Sequence, residues 1–286
     1  MRLVRVQGPS GIHLARVDGD GVVTPIVEQL AGPGRDPLRD AVAAGVDLTG
    51  GAAVTEPGPL DGGRFALLSP VAAPQKVLAI GLNYRDHARE TGAELPKAPV
   101  LFVKTPNSIV GPGQPITYAK DDSTQVDYEA ELAVVIGRTC RRVSESSALD
   151  FVLGYTVCND VSARDAQFAD GQWVRGKSFD SFCPLGPWIV TADEIPDPQV
   201  LGIRCRVNGQ TLQDSSTSEM VFGCAELISY LSRVMTLEPG DVIATGTPSG
   251  VGFTRQPPVL LLDGDVVEAE IDGIGTLQNS VVVDTA

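Results

Sequence analysis

The stretch VDYEAELAVVIG, residues 126–137, places three acids in a segment that otherwise favours a buried β-strand. Side chains alternate faces along a strand. Val126, Tyr128, Ala130 and Leu132 therefore share one face, and Asp127, Glu129 and Glu131 share the other. Ala133, Val134, Val135 and Ile136 are apolar on both faces, so the strand runs into an interior. At about 3.3 Å per residue, Glu129 and Glu131 lie roughly 7 Å apart along the backbone. Carboxylates this close repel, and burying them unpaired costs several kcal/mol. Two readings follow: a wetted edge face that fades into core, or a cation held between the acids.

Other stretches bear on that choice. CNDVSARDAQ puts Asp160 at the end of an apolar strand, where a turn begins, and RGKSFDSFCPLGP puts Lys177 in a Gly/Ser/Pro-rich loop. Mg²⁺ or Mn²⁺ requires hard oxygen ligands, often a few carboxylates with positions left open for water and substrate. Glu129, Glu131 and Asp160 offer three such ligands, although each alone reads equally as a solvated or ion-paired acid. The chain has two histidines. His13 lies in a β-rich region with no acid or cysteine pattern around it. His87 lies in NYRDHARE, which reads as a helix start with Asn83 as N-cap and Asp86 in the first turn. Glu90 follows three residues after His87, so the two share a helix face. A carboxylate beside an imidazole orients it and suits it to act as a general base; a surface ion pair is the plainer alternative. GTPSGVG, residues 246–252, lacks the Lys-Ser/Thr ending of a P-loop. It reads as a turn that lets backbone approach a ligand, with Thr247 as a hydrogen-bond donor.

The 286 residues suffice for a full core, and 43% hydrophobic with 20% charged residues is ordinary for a globular protein. The formal charge of −14 argues against nucleic acid and anionic membranes as partners, while leaving room for a small anion in a locally positive pocket. Five dispersed cysteines without a Cys-x-x-Cys pair read as reduced thiols. With no leader and no apolar run of membrane-spanning length, a cytoplasmic location is expected. Short strands and Gly/Pro turns fill residues 1–72, and proline punctuation suggests a boundary there, giving a small N-terminal β-rich domain at 1–72 and a catalytic domain at 73–286. SESSALDFVLG reads as a helix capped by Ser144 and ended by Gly154. The one long amphipathic helix, around EMVFGCAELISYLSRVM, carries Leu227, Ile228, Leu231 and Val234 on one side. DVVEAEIDGIGTLQNSVVV reads as a hairpin about Asp272-Gly273. Strands outnumber helices and no β-α-β rhythm repeats. The fold class is mostly β with a few covering helices (α+β).

The motifs GLNYRDHARE, DYEAELAVVIG, NDVSARDAQ, GKSFDSFCPLGP and ATGTPSGVG occur in that order. From about residue 73 to the C-terminus the chain resembles the fumarylacetoacetate hydrolase family. The resemblance implies a mixed β-roll, a homodimer and a Mg²⁺ or Mn²⁺ site with Glu129, Glu131 and Asp160 as ligands. It places the His87–Glu90 pair on a lid near residues 84–97. It sets Lys177 and Gln167 against the substrate near the metal, and Arg164, in the SARD turn before Gln167, among the substrate-binding residues. It also implies that Thr247 binds a substrate carboxylate. Asp127 falls outside the ligand set and is expected to orient Lys177 or a ligand. The implied substrate is a small anionic 2-oxo acid. The His87–Glu90 pair favours hydrolysis of a 2,4-diketo acid, acylpyruvate-like or a 2,4-diketo-3-deoxy sugar acid, with the metal and Lys177 stabilising the departing pyruvate enolate. Decarboxylation or isomerisation of an oxaloacetate-like or 2-hydroxy-diene-dioate substrate on the same metal is the alternative. A non-catalytic, metal-stabilised β-domain is the alternative of another class. The loop from Phe168 to Trp173 is expected to help select the group beyond the diketone.

Overall fold

A computed structural model describes residues 1–29, 32 and 34–284. It is mostly strand, with short helices laid over mixed sheets. The strand that carries the acids, Ala130–Ile136, lies near the middle of the largest sheet. It pairs antiparallel with Val152–Asn159 on one side and Val242–Ala244 on the other. Beyond Val242–Ala244 come Val77–Gly81, which is parallel to it, and Val100–Lys104. Beyond Val152–Asn159 come Cys183–Thr191 and then Arg2–Gly8, Gly11–Val17 and Val22–Glu28, so the N-terminal strands extend the same sheet. A second sheet orders Gln210–Ser216, Gly202–Val207, Val266–Ile271, Gly275–Asp284 and Ile116–Ala119.

The alternation read from the sequence governs the packing. Ala130, Leu132, Val134 and Ile136 enter a core shared with Ile203, Cys205 and Val267 of the second sheet and with Leu227, Ile228 and Leu231. Ala133 and Val135 enter the core on the opposite face, with Leu3, Leu14, Leu38 and Leu185. Glu129 and Glu131 lie on the face of Ala133 and Val135, so the acids sit at the end of a strand that is buried on both sides. The hairpin at Asp272-Gly273 forms as expected, with Ile271 opposite Gly275 and Gly273 at a φ of 77°. All five cysteines are buried and free of disulfides.

Three local expectations are corrected. The segment from Ser144 is helical only over Glu145–Ala148 and a following 3₁₀ turn, Leu149–Phe151. Gly154 belongs to the next strand, Val152–Asn159, and does not end a helix. A Cβ there would lie 2.1 Å from the Val190 carbonyl oxygen, so the glycine permits close strand approach. In the long helix, Cys224–Val234, the expected apolar side holds through Leu231, but Val234 is the final residue and is exposed.

Asn83 is the third. The helix is Arg85–Thr91, Tyr84 occupies the N-cap position without a side-chain cap, and Gly92 ends it at a φ of 67°. The Asn83 side chain instead fastens the chain entering this helix to two distant segments. Its amide donates to the carbonyls of Phe222 and Thr245 at 3.0 and 2.8 Å, and its oxygen accepts from the Phe222 N–H at 2.9 Å. Asn83→Ala leaves these three buried backbone groups unpaired. At about 1 kcal/mol or more for each, the loss is roughly 3 kcal/mol. The melting temperature should fall by roughly 5–10 °C, and a fall of less than about 2 °C would contradict this account.

Candidate active site

Antiparallel pairing builds the acidic centre. Ala130 lies opposite Asn159 and Glu131 opposite Cys158. That register brings Glu129, just before one strand, beside Asp160, just after the other. The Asp160 N–H donates to the Glu129 carbonyl at 2.8 Å, and the Asn159 side-chain oxygen accepts from the Glu129 N–H at 3.0 Å. One carboxylate oxygen from each of Glu129, Glu131 and Asp160 lies within 4.8 Å of the other two, and all three residues are buried.

Cations converge on this centre from three further elements. Lys177, expected in a loop, ends a short helix, Val174–Lys177. Its ammonium donates to Glu129 at 3.0 Å, Asp160 at 2.7 Å and the Ser162 hydroxyl at 2.8 Å. Lys104, the last residue of strand Val100–Lys104, donates to Asp160 at 2.5 Å and also bonds the Lys177 carbonyl. Arg164 opens helix Arg164–Ala169. It donates twice to Asp127, at 2.9 and 2.7 Å, and reaches Glu129 at 2.7 Å and Gln167 at 3.0 Å. Asp127 thus holds Arg164; among the described contacts it does not touch Lys177. Lys104 was not singled out in the sequence. Its one signal there is a lysine closing the apolar strand VLFVK.

The segment Gly246–Gly252 meets the acids through backbone. Its N–H groups donate to Glu131 from Gly246 at 2.9 Å, to Glu90 from Gly250 at 2.9 Å and to Asp127 from Gly252 at 2.8 Å. A Cβ on Gly252 would lie 1.9 Å from the Val259 carbonyl and 2.5 Å from Asp127, so this approach needs glycine. The Thr247 hydroxyl donates to the Ala130 carbonyl at 2.9 Å and accepts from Gln213 at 2.8 Å.

His87 and Glu90 share a face of helix Arg85–Thr91, with His87 Nδ1 3.1 Å from Glu90. A carboxylate only accepts, so Nδ1 carries the proton and Nε2 is left without a protein partner among the described residues. A cavity of about 500 Å³ is lined by His87, Glu90, Glu129, Arg164, Gln167, Lys177 and Thr247. Glu131 and Asp160 are buried away from its surface, with Glu129 linking the two regions.

The electrostatics separate the acids. Burial raises the proton affinity of Glu129, but the charges of Lys177 and Arg164 outweigh it, and its carboxyl is held below the usual range. Glu131 is pushed well above the usual range, first by burial and then by Asp160 and Glu129. Its polar contact is the Gly246 N–H, and no cation pairs with it among the described residues. Asp127, Glu129, Glu131 and Asp160 are therefore met by Lys104, Arg164 and Lys177, four carboxyls against three cations, and Glu131 is the one without a cationic partner among the described residues. An all-oxygen donor set with a surplus negative charge fits a hard divalent cation.

Such a fold and centre define an α+β protein built around a buried acidic triad able to hold a divalent metal beside a His–Glu pair. Comparison with known proteins agrees. Residues 76–282 match the family described as fumarylacetoacetate (FAA) hydrolase, C-terminal, and the chain belongs to the fumarylacetoacetate hydrolase family. It is 52% identical over 221 residues to the oxaloacetate tautomerase of Xenopus laevis, named as mitochondrial, covering 77% of this chain and 69% of that one. The crystal structure of 5-carboxymethyl-2-hydroxymuconate delta-isomerase from Mycobacterium smegmatis superposes with a TM-score of 0.81 at 42% identity, covering both chains fully. Fumarylacetoacetate hydrolase from Exiguobacterium antarcticum superposes with a TM-score of 0.87 at 40% identity, over 99% of this chain and 100% of that one. Among the described residues, no helix is long and apolar enough to cross a membrane.

The raised proton affinity of Glu131 sets a pH dependence. A carboxyl whose folded pKa exceeds its ordinary value of 4.5 destabilises the fold increasingly as pH rises above that value. A divalent ion binds the charged form in competition with the proton. Mg²⁺ should therefore raise the melting temperature more at about pH 8 than at about pH 5, and Glu131→Gln should remove most of the rise. Equal rises at both pH values, or an undiminished rise in the variant, would contradict the assignment.

Proposed function

We propose that the protein is a divalent-cation-dependent tautomerase or isomerase of a 2-oxo acid, moving a proton at C3, the carbon beside the 2-oxo group. The His87–Glu90 pair on the same cavity as Glu129, Arg164 and Lys177 supplies a general base that serves a proton shift as well as the hydrolysis expected from the sequence. The names of the relatives, an oxaloacetate tautomerase and a hydroxymuconate isomerase, support the same class of reaction.

Glu129, Glu131 and Asp160 would hold a divalent ion, which would supply Lewis-acid polarisation of a 2-oxo carboxylate and so acidify C3–H. His87 takes the C3 proton on Nε2, and the electron pair of the broken C–H bond moves towards the 2-oxo oxygen. Glu90 steadies the imidazolium that forms. Burial raises the Glu90 proton affinity, but its bonds to His87 and the Gly250 N–H outweigh this, so it stays ionised as that step requires. Lys177 already directs its three hydrogens at Glu129, Asp160 and Ser162. It therefore acts as a fixed positive charge that favours an enolate and not as a proton donor. Its proton is held tightly: burial loosens it, but Asp160 and Glu129 outweigh that effect. His87 then returns its proton to the enolate, on oxygen or carbon according to the direction of reaction.

Hydrolysis of an acylpyruvate is the second reading, because the same Nε2 can take a proton from water. Two assays separate the readings. With Mg²⁺ or Mn²⁺ the protein should accelerate ketonisation of enol-oxaloacetate, and chelation by EDTA should remove the effect. His87→Ala should lower kcat by about 10²–10⁴-fold while sparing Mg²⁺ binding. Enol decay no faster than without enzyme, for oxaloacetate and for phenylpyruvate alike, would defeat the proposal. Cleavage of acetylpyruvate to acetate and pyruvate at a higher kcat/KM than enol decay would install hydrolysis in its place.

A further inference from the structure

The polar groups account for only part of the cavity. Phe102, Phe168, Trp173 and Phe253 also line it. They form two edge-to-face pairs: Phe168 with Phe253 at 5.5 Å between ring centres, and Phe102 with Trp173 at 5.4 Å. Each pair rests on one cation of the site. The Arg164 guanidinium lies 4.4 Å from the Phe253 ring centre, and the Lys177 ammonium 5.1 Å from that of Phe102. Trp173 is fixed against strand Val77–Gly81, where a Cβ on Gly81 would lie 2.3 Å from the indole. Phe168 is 60% exposed although it belongs to the cavity wall. An exposed ring at a cavity mouth is apolar surface that a bound group can cover.

Charge points the same way. The cations among the lining residues are Arg164 and Lys177. Arg164 is taken by Asp127, Glu129 and Gln167, and Lys177 by Glu129, Asp160 and Ser162. One substrate carboxylate can join the 2-oxo group at the acidic centre. A second would meet aromatic rings and the Glu90 carboxylate with no unengaged cation to offset its lost hydration, which is costly. The volume, about 500 Å³, lies in the range of roughly 300–1,000 Å³ that encloses drug-sized ligands and exceeds the needs of a short diacid.

We propose that the ring-lined part of the cavity is a subsite for an apolar, preferably aromatic, substituent on C3 of a 2-oxo monocarboxylic acid, and that Phe168 determines this specificity. The inference rests on the proton-transfer reading for its chemistry: enol O–H is lost and C3–H forms, or the reverse. Phenylpyruvate serves as the probe and oxaloacetate as the diacid comparison, both with saturating Mg²⁺. The kcat/KM for ketonising enol-phenylpyruvate should exceed that for enol-oxaloacetate by about tenfold or more. Phe168→Ala should shrink that ratio by about tenfold, through a raised KM for phenylpyruvate, while Phe168→Leu retains most of it. An oxaloacetate kcat/KM equal to or above that of phenylpyruvate, or a ratio unmoved by Phe168→Ala, overturns the subsite. Should neither enol be turned over, the proton-transfer reading fails, and calorimetric binding of the two acids then decides the subsite alone. Tighter phenylpyruvate binding that Phe168→Ala weakens upholds it; equal or tighter oxaloacetate binding overturns it.

Discussion

Four carboxylates and three cations are buried together at one end of the central strand, and the unequal count governs the site. Unpaired burial of a single charge costs several kcal/mol. Arg164, Lys177 and Lys104 remove most of that cost for Asp127, Glu129 and Asp160. Glu131 keeps only the Gly246 N–H. A divalent cation would turn this residual repulsion into attraction, so the element that disfavours the fold without metal is the one that would give the site its affinity. Stability and function here draw on the same charges.

The surrounding backbone is arranged to serve those charges. Gly246–Gly252 aims three N–H groups at Glu131, Glu90 and Asp127, joining the acidic centre, the His–Glu pair and the Arg164 anchor through one turn. Helix Arg85–Thr91 is pinned by the same turn through Glu90. Asp86 adds contacts with the Ser215 and Ser249 hydroxyls at 2.5 and 3.3 Å. His87 is thereby oriented towards the cavity by contacts from two separate parts of the chain, the 246–252 turn and Ser215. Arg164 and Lys177 in turn carry the aromatic pairs, so the charged floor and the apolar wall share residues.

The architecture was largely legible because strand alternation is a local property. The split of Ala130–Ile136 between two cores follows from period-two patterning, whereas the grouping of Glu129 and Glu131 with Asp160 was implied by the family resemblance and is fixed by the pairing of Ala130 with Asn159. The His87–Glu90 contact follows from helical spacing. Gly154 misled because a glycine that ends a helix and one that admits a neighbouring strand read identically. Asn83 misled because its partners, Phe222 and Thr245, are remote in sequence. Lys104, the Asp127–Arg164 pair and the meeting of Phe168 with Phe253 were illegible for the same reason. Side chains far apart in the chain meet only once the sheets have fixed their register.

The central claim is that a divalent ion occupies the charge deficit at Glu131. Anomalous diffraction from crystals grown with Mn²⁺ tests it most directly. The account predicts one strong peak within direct coordination distance of a carboxylate oxygen of each of Glu129, Glu131 and Asp160. Absence of a peak there at saturating Mn²⁺, with the Lys177 ammonium still bridging Glu129 and Asp160 and Glu131 left alone, would contradict it.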